Sequence, residues 1–160
     1  MYNEGNAAEL KTKFWHAMEN SAFVMLQLDD DPDSAAPMTA QLDRDADSAI
    51  WFFTKTDNRF AAMGAATATY ADKGHDLFAR FHGNLVRESS RARLDKQWSE
   101  HVEGWFPGGK EDPSLLMLRM DLGEATIWHS GMDLLAKAKM WLGLDARDDL
   151  KKGEHVTTNL

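Results

Sequence analysis

Thr54, Lys55, Thr56, Asn58 and Arg59 gather hydroxyls, an amide and two cations within six residues, directly after the apolar run Ala49-Ile-Trp-Phe-Phe53. That run has the length and aromatic content of a strand buried on both faces. Asp57 or Asn58 can cap a helix that continues through Phe60, Ala61, Ala62 and Met63. A buried strand feeding a capped helix start is one way to hold a phosphate. Free backbone N–H groups and the positive end of the helix dipole attract the anion, and a guanidinium offers it a planar fork of donors. An ordinary polar loop after a strand is the competing reading of these residues.

Other chemistry finds less support. The histidines at 16, 75, 82, 101, 129 and 155 show no His-x-x-x-His spacing and the chain has no cysteine, so no metal site is expected. His82 and His129 fall on expected strands, where each either lines a cleft and titrates near neutral pH or serves as a hydrogen-bonded strand residue. The acidic run Asp29 to Asp33 lacks a spaced ligand loop and reads as a solvated turn. No Gly-x-Ser-x-Gly elbow occurs, so neither covalent nor hydrolytic catalysis is indicated, and no catalytic residue is identified.

The elements that must position these groups follow from pattern. Asn6-Ala-Ala-Glu9 has capping-box spacing, and Leu10, Phe14, Ala17 and Met18 share a helical face. Strands are expected at Phe23 to Leu28, Pro37 to Leu42 and Ser48 to Thr54, the last two forming a hairpin around the polar turn Asp43 to Asp47. Ala66 to Ala71 reads as a short strand and Leu77 to Val86 as a long one with a bulge at Gly83. Ser89 or Ser90 caps a helix carrying Leu94, Trp98 and Val102. After the aromatic loop Trp105 to Gly109 come two strands, Leu115 to Leu122 and Ala125 to His129. Ser130, with Asp133 three residues on, caps a last helix whose stripe is Leu134, Ala138, Trp141 and Leu142. His155 to Leu160 can add an edge strand. Strands joined by short turns predict a mainly β fold with helices, an antiparallel barrel or sandwich. No Gly-x-Gly-x-x-Gly occurs, and the irregular order of elements argues against a Rossmann sheet.

Composition agrees with one domain of 160 residues, its core about 13–144 and a peripheral tail 145–160. The net charge of −8 argues against nucleic acid as a partner. No apolar stretch is long enough to span a bilayer, so no membrane partner is expected. The cysteine-free chain, with no basic-then-apolar leader at its start, fits a cytoplasmic setting. Six tryptophans, eight phenylalanines and nine methionines can fill a core, an interface between copies or a cleft for a flat ring.

From about Lys13 onward, an ordered set of segments resembles the general stress protein 26 branch of the pyridoxamine 5'-phosphate oxidase-like proteins. They are Ala36-Pro-Met-Thr39, Ile50-Trp-Phe-Phe-Thr54, Asn58-Arg59, His82-Gly83, Trp105-Phe-Pro-Gly-Gly109, Asp112-Pro-Ser-Leu115 and Ala125-Thr-Ile-Trp128. The resemblance implies a six-stranded antiparallel split β-barrel with flanking helices, and a homodimer holding FMN, or FAD, at the subunit interface. It places Thr54, Asn58 and Arg59 on the phosphate with Lys55 beside them, and Phe53 among the cofactor-binding residues. Met38 and Thr39 match the strand along the ring edge. Trp105 and Trp128 fall near the flavin or the dimer seam, where plain core or interface packing is the alternative. The family's usual Arg before Pro-Met is Ala36 here, and Asn58 stands where Ser is usual.

The activity implied is a flavin-dependent oxidoreductase, with a non-catalytic flavin store, or a split barrel that has lost flavin, as the alternatives. The segment after Trp128 lacks the Arg-x-His of the true pyridoxamine phosphate oxidases.

Overall fold

Side chains alternate between the core and the outside along each strand, and this alternation sets the architecture of the computed structural model, which describes residues 2–46, 48–131, 134–144 and 153–160. Its elements are β1 (Tyr2–Glu4), α1 (Ala7–Asn20), β2 (Phe23–Leu28), β3 (Asp31–Thr39), β4 (Ala49–Lys55), β5 (Gly64–Ala71), β6 (Leu77–Arg87), α2 (Arg91–Gln97), α3 (Glu100–Glu103), β7 (Leu115–His129), α4 (Leu134–Trp141) and β8 (Gly153–Asn159). Val24, Leu26 and Leu28 of β2, Ala66, Ala68 and Tyr70 of β5, and Leu77, Ala79 and Phe81 of β6 all face one core. The Asn6 side chain accepts the Glu9 N–H at 2.9 Å and starts α1. That helix buries Leu10, Phe14 and Met18, with Phe14 edge-on to Tyr70 and Phe81.

Antiparallel pairing runs β3-β2-β5-β6-β7-β4. Gln41, just past β3, then bridges Trp51 of β4 through N–H···O contacts of 2.7 and 3.0 Å. Among the described residues this single bridge joins the two ends of the six-strand run. The sheet as a whole has eight strands rather than the expected six, because β8 pairs with the C-terminal half of β7 and β1 lies parallel to β8.

Four expectations are corrected. Pro37 to Leu42 and Ser48 to Thr54 do not form a hairpin. The turn at Asp29 and Asp30 folds β3 onto β2 instead, and buried Ser34 pins it by accepting Leu28 N–H at 2.8 Å and donating to Asp31 O at 2.6 Å. The two strands expected around Gly123 are one, since β6 keeps pairing across the irregularity between Phe81 and Gly83. The helix through Leu94, Trp98 and Val102 is two short helices. Trp98 turns extended to set its ring edge-on to Phe53, with centroids 6.0 Å apart, and Ser99 caps anew. The tail from Gly153 is part of the sheet, burying Val156 and Leu160, and is not its edge.

Of the expected stripe, Ala138 and Trp141 of α4 and Leu142 just past its end are exposed, Trp141 at 91%. The cap partner Asp133, Asp47 of the polar turn and residues 145–152 of the tail lie outside the described residues. The loop after β3 is anchored to α2 by Asp43, which pairs with Lys96 at 2.7 Å and with Arg93. Lys96, Arg93 and the Asp45 N–H hold its carboxyl well below the usual range.

Candidate functional site

Three stretches come together beside the Gln41–Trp51 bridge: the last residues of β3 with those after it, the last residues of β4 with its following turn, and α3 with the loop beyond. Between them lies a pocket of about 550 Å³. Pro37, Met38 and Thr39 line it from β3, Phe53 and Thr54 from β4, and Val102, Trp105 and Phe106 from α3 and its following loop. Phe23 also lines it, because the β2–β3 register sets Phe23 opposite Thr39.

The polar end is built by the turn after β4. Thr56 N–H reaches Ser114 O at 2.9 Å and Asn58 N–H returns to Lys55 O at 3.0 Å. The Asn58 side chain accepts Phe60 N–H at 2.9 Å and caps a single 3-10 turn, Arg59–Ala62. The helix expected here is therefore one turn long, ended by Met63 at φ 59°, and its dipole is correspondingly small. The N–H groups of exposed Asp57 and Arg59 meet no acceptor among the described residues.

Lys55 lines the pocket and makes no ion pair within 4 Å among the described residues. Asp112 stands behind it electrostatically. Its carboxyl is held low by the Ser114 hydroxyl first, then by the N–H groups of Ser114 and Gly108, and more weakly by the Lys55 charge.

Met38, Thr39, Phe53, Thr54, Lys55, Asn58 and Trp105 thus share one cavity. Arg59 and Trp128 are not among its lining residues. The Arg59 guanidinium points to β3, with Nε donating to Asp31 Oδ2 at 2.9 Å and Nη1 to Asp33 O at 2.9 Å. Trp128 lies on β7 between Phe78 of β6 and His155 of β8, with the Arg80 guanidinium 6.0 Å from its ring centroid. Neither His82 nor His129 lines the pocket. His82 Nδ1 is 3.0 Å from Thr67 Oγ1, which donates to Asp29, and His129 pairs with Leu77 and Glu154. The lining histidine is His101.

Phe23, Gln41, His101 and Phe106 belong to the pocket without having been expected there. Only Phe106 carried a signal, as the neighbour of Trp105 in the aromatic loop. A second cavity of about 430 Å³, between α1 and the loop from Leu42 to Ala49, contains none of the expected residues. The described residues offer no group of three or more His, Asp or Glu that could hold a metal ion, and no helix among them is long and apolar enough to cross a membrane.

Comparison with known proteins gives concordant results. A family model described as pyridoxamine 5'-phosphate oxidase like matches residues 9–143. The general stress FMN/FAD binding protein of Xanthomonas citri is 41% identical over 80% of this chain and 94% of its own, with a TM-score of 0.74. A general stress family protein from Xanthomonas campestris pv. campestris is also 41% identical, over 81% of this chain and 93% of its own, at 0.73. A general stress protein 26 from Jannaschia sp. CCS1 is 29% identical over 97% of this chain and all of its own, at 0.80. No curated protein matches significantly.

Proposed function

Because the chain belongs to the pyridoxamine 5'-phosphate oxidase-like family, we propose that it is a flavin-binding protein of the general stress type, taking FMN or FAD in the pocket at the end of β4. The observation that carries this reading is the lining of that pocket: Met38, Phe53 and Trp105 as apolar walls, Thr54, Lys55 and Asn58 gathered at its polar end. Its 550 Å³ lies within the roughly 300–1,000 Å³ of small-molecule sites. Trp105 and Phe53 supply faces for a flat ring, and Thr39 and Gln41 supply polar groups for its edge. Lys55, with the hydroxyl of Thr54 and the open N–H groups of Asp57 and Arg59, suits a phosphate.

A bound flavin supplies hydride or electron transfer, which leaves the protein to bind and orient it. The chain's task is then positional, and an oxidoreductase of this kind requires no acid or base from the pocket. A second copy of the chain covering the pocket mouth is part of the proposal, because Phe23 and Trp105 stand 65% and 66% exposed there. A cysteine-free flavoprotein suits the reducing cytoplasm.

The test is to record the visible absorption of the purified protein and titrate FMN, FAD and riboflavin by fluorescence quenching. Saturable quenching in the micromolar range is expected. A colourless protein that quenches none of the three would overturn the reading. Turnover of a nicotinamide donor with an acceptor then separates an oxidoreductase from a protein that holds flavin without reacting.

A further inference from the structure

One cation beside the pocket is already taken. Arg59 follows Asn58, which lines the polar end, yet its guanidinium is bound to the start of β3. Nε and Nη2 meet both carboxylate oxygens of Asp31, at 2.9 and 2.5 Å, and Nη1 meets the carbonyl of Asp33 at 2.9 Å. Three of its five N–H donors are engaged. A phosphate brought to Arg59 as it now stands would lie beside the Asp31 carboxylate, and like charges at that range repel. A phosphate at Arg59 must therefore either share the two remaining donors against that repulsion or displace Asp31. The existing pair is weak enough to yield: its partners are 56% and 35% exposed, and such pairs contribute little to stability. A dianion offers the same fork more charge.

Resting on the flavin reading of this pocket, we propose that Asp31 competes with the ligand's phosphate for Arg59, and so sets how much of the affinity depends on that phosphate. While Asp31 holds Arg59, the charged residues lining the polar end are Lys55 and Asp57, of opposite sign, and the pocket favours a phosphate only modestly over a neutral ribityl chain. Release of Arg59 raises that preference. Asp31 is thus a specificity-determining residue outside the pocket, acting through Arg59.

The experiment compares riboflavin with FMN. Affinities for both are measured on the wild-type protein, Asp31→Asn, Arg59→Ala and the double variant, with circular dichroism and thermal melting to establish folding. Asp31→Asn keeps the shape and removes the charge. It is expected to tighten FMN about three- to fivefold, the range of an exposed ion pair, and to leave riboflavin within about twofold. The gain must vanish when Arg59→Ala is added. FMN affinity unchanged or weakened in Asp31→Asn, with riboflavin unaltered, overturns the competition and makes Asp31 a residue that positions Arg59 or only holds the β2–β3 turn. Should Asp31→Asn fail to fold, Asp31→Ser is read by the same criteria. A wild-type protein that binds neither ligand removes the flavin reading itself and this inference with it. Riboflavin binding with no response of FMN to Asp31 removes the inference alone.

Discussion

Lys55 and Trp105 both line the pocket, but they carry different parts of the proposed binding. Lys55 has no ion-pair partner within 4 Å among the described residues, so its ammonium remains available to a phosphate. Lys55→Met is expected to cost FMN about 1 kcal/mol, below the 1.5–3 of a buried charge-assisted bond because the side chain is exposed, and to leave riboflavin unchanged. Trp105 is 66% exposed and contributes surface without holding the fold. Trp105→Ala is expected to weaken FMN and riboflavin alike by about 1 kcal/mol while the melting temperature stays within a degree or two. Loss of one ligand only would argue against a ring-facing role. The contrast with Phe106, 3% exposed in the same loop, is instructive: Phe106→Ala should cost about 3–5 kcal/mol of stability. Thr54, Lys55 and Asn58 were legible in the sequence because they are chain neighbours at one strand end, where local pattern is enough. His101 was not, since it reaches the pocket only through the break at Trp98, and no periodicity in the sequence marks that break.

At the scale of elements, the bulge between β6 and β7 leaves no room for a side chain at Gly83. A Cβ at Gly83 would stand 2.6 Å from Asp121 O and 2.8 Å from Met120 Cγ, so the facing strand or a core methionine must move. Gly83→Ala is therefore expected to lower stability by about 1–3 kcal/mol, measured by denaturant unfolding. The strand joint was readable as a glycine in an apolar run; that β7 continues past it was not, because continuity depends on pairing with β6 and on β8 arriving from the far end of the chain. The hairpin around Asp43 failed for a related reason. A polar turn signals a reversal, but which strands then pair is decided by the competing turn at Asp29 and by Ser34. Tyr70 gives β5 a pH dependence. Burial, reinforced by Asp72, raises its phenol from 10.0 to about 12, while its hydroxyl donates to Ser21 O at 2.8 Å. The folded state then keeps a proton that the unfolded chain releases, so the Tyr70 contribution is intact below pH 10 and lost as pH rises towards 12. Tyr70→Phe should flatten the stability profile over that window.

For the whole molecule the question is what completes it. Among the described residues the two ends of the six-strand run are joined by the bridge from Gln41 to Trp51, and the pocket opens beside that seam with Phe23 and Trp105 exposed at 65% and 66% and Met25, on the same face of β2 as Phe23, at 45%. Met140, Trp141, Leu142 and Leu144 present a second apolar surface, at 55–91%. Scattered exposed apolar residues are ordinary, but clusters of large ones mark contact surfaces. A stable interface needs about 800 Å² from each partner, more than a few side chains provide, so each patch can only be the centre of a larger contact. The proposed homodimer predicts twice the chain mass by light scattering at micromolar concentration. Met25→Glu and Trp141→Glu then tell the two patches apart, because a charge at the centre of a buried interface costs far more than one at its rim. A variant that yields monomers and loses flavin together would show that the second copy completes the pocket. Monomers that bind flavin as tightly as before would separate the two properties, leaving the pocket to one chain. A wild-type protein that runs as a monomer at every concentration would overturn the dimer and leave both patches for another partner.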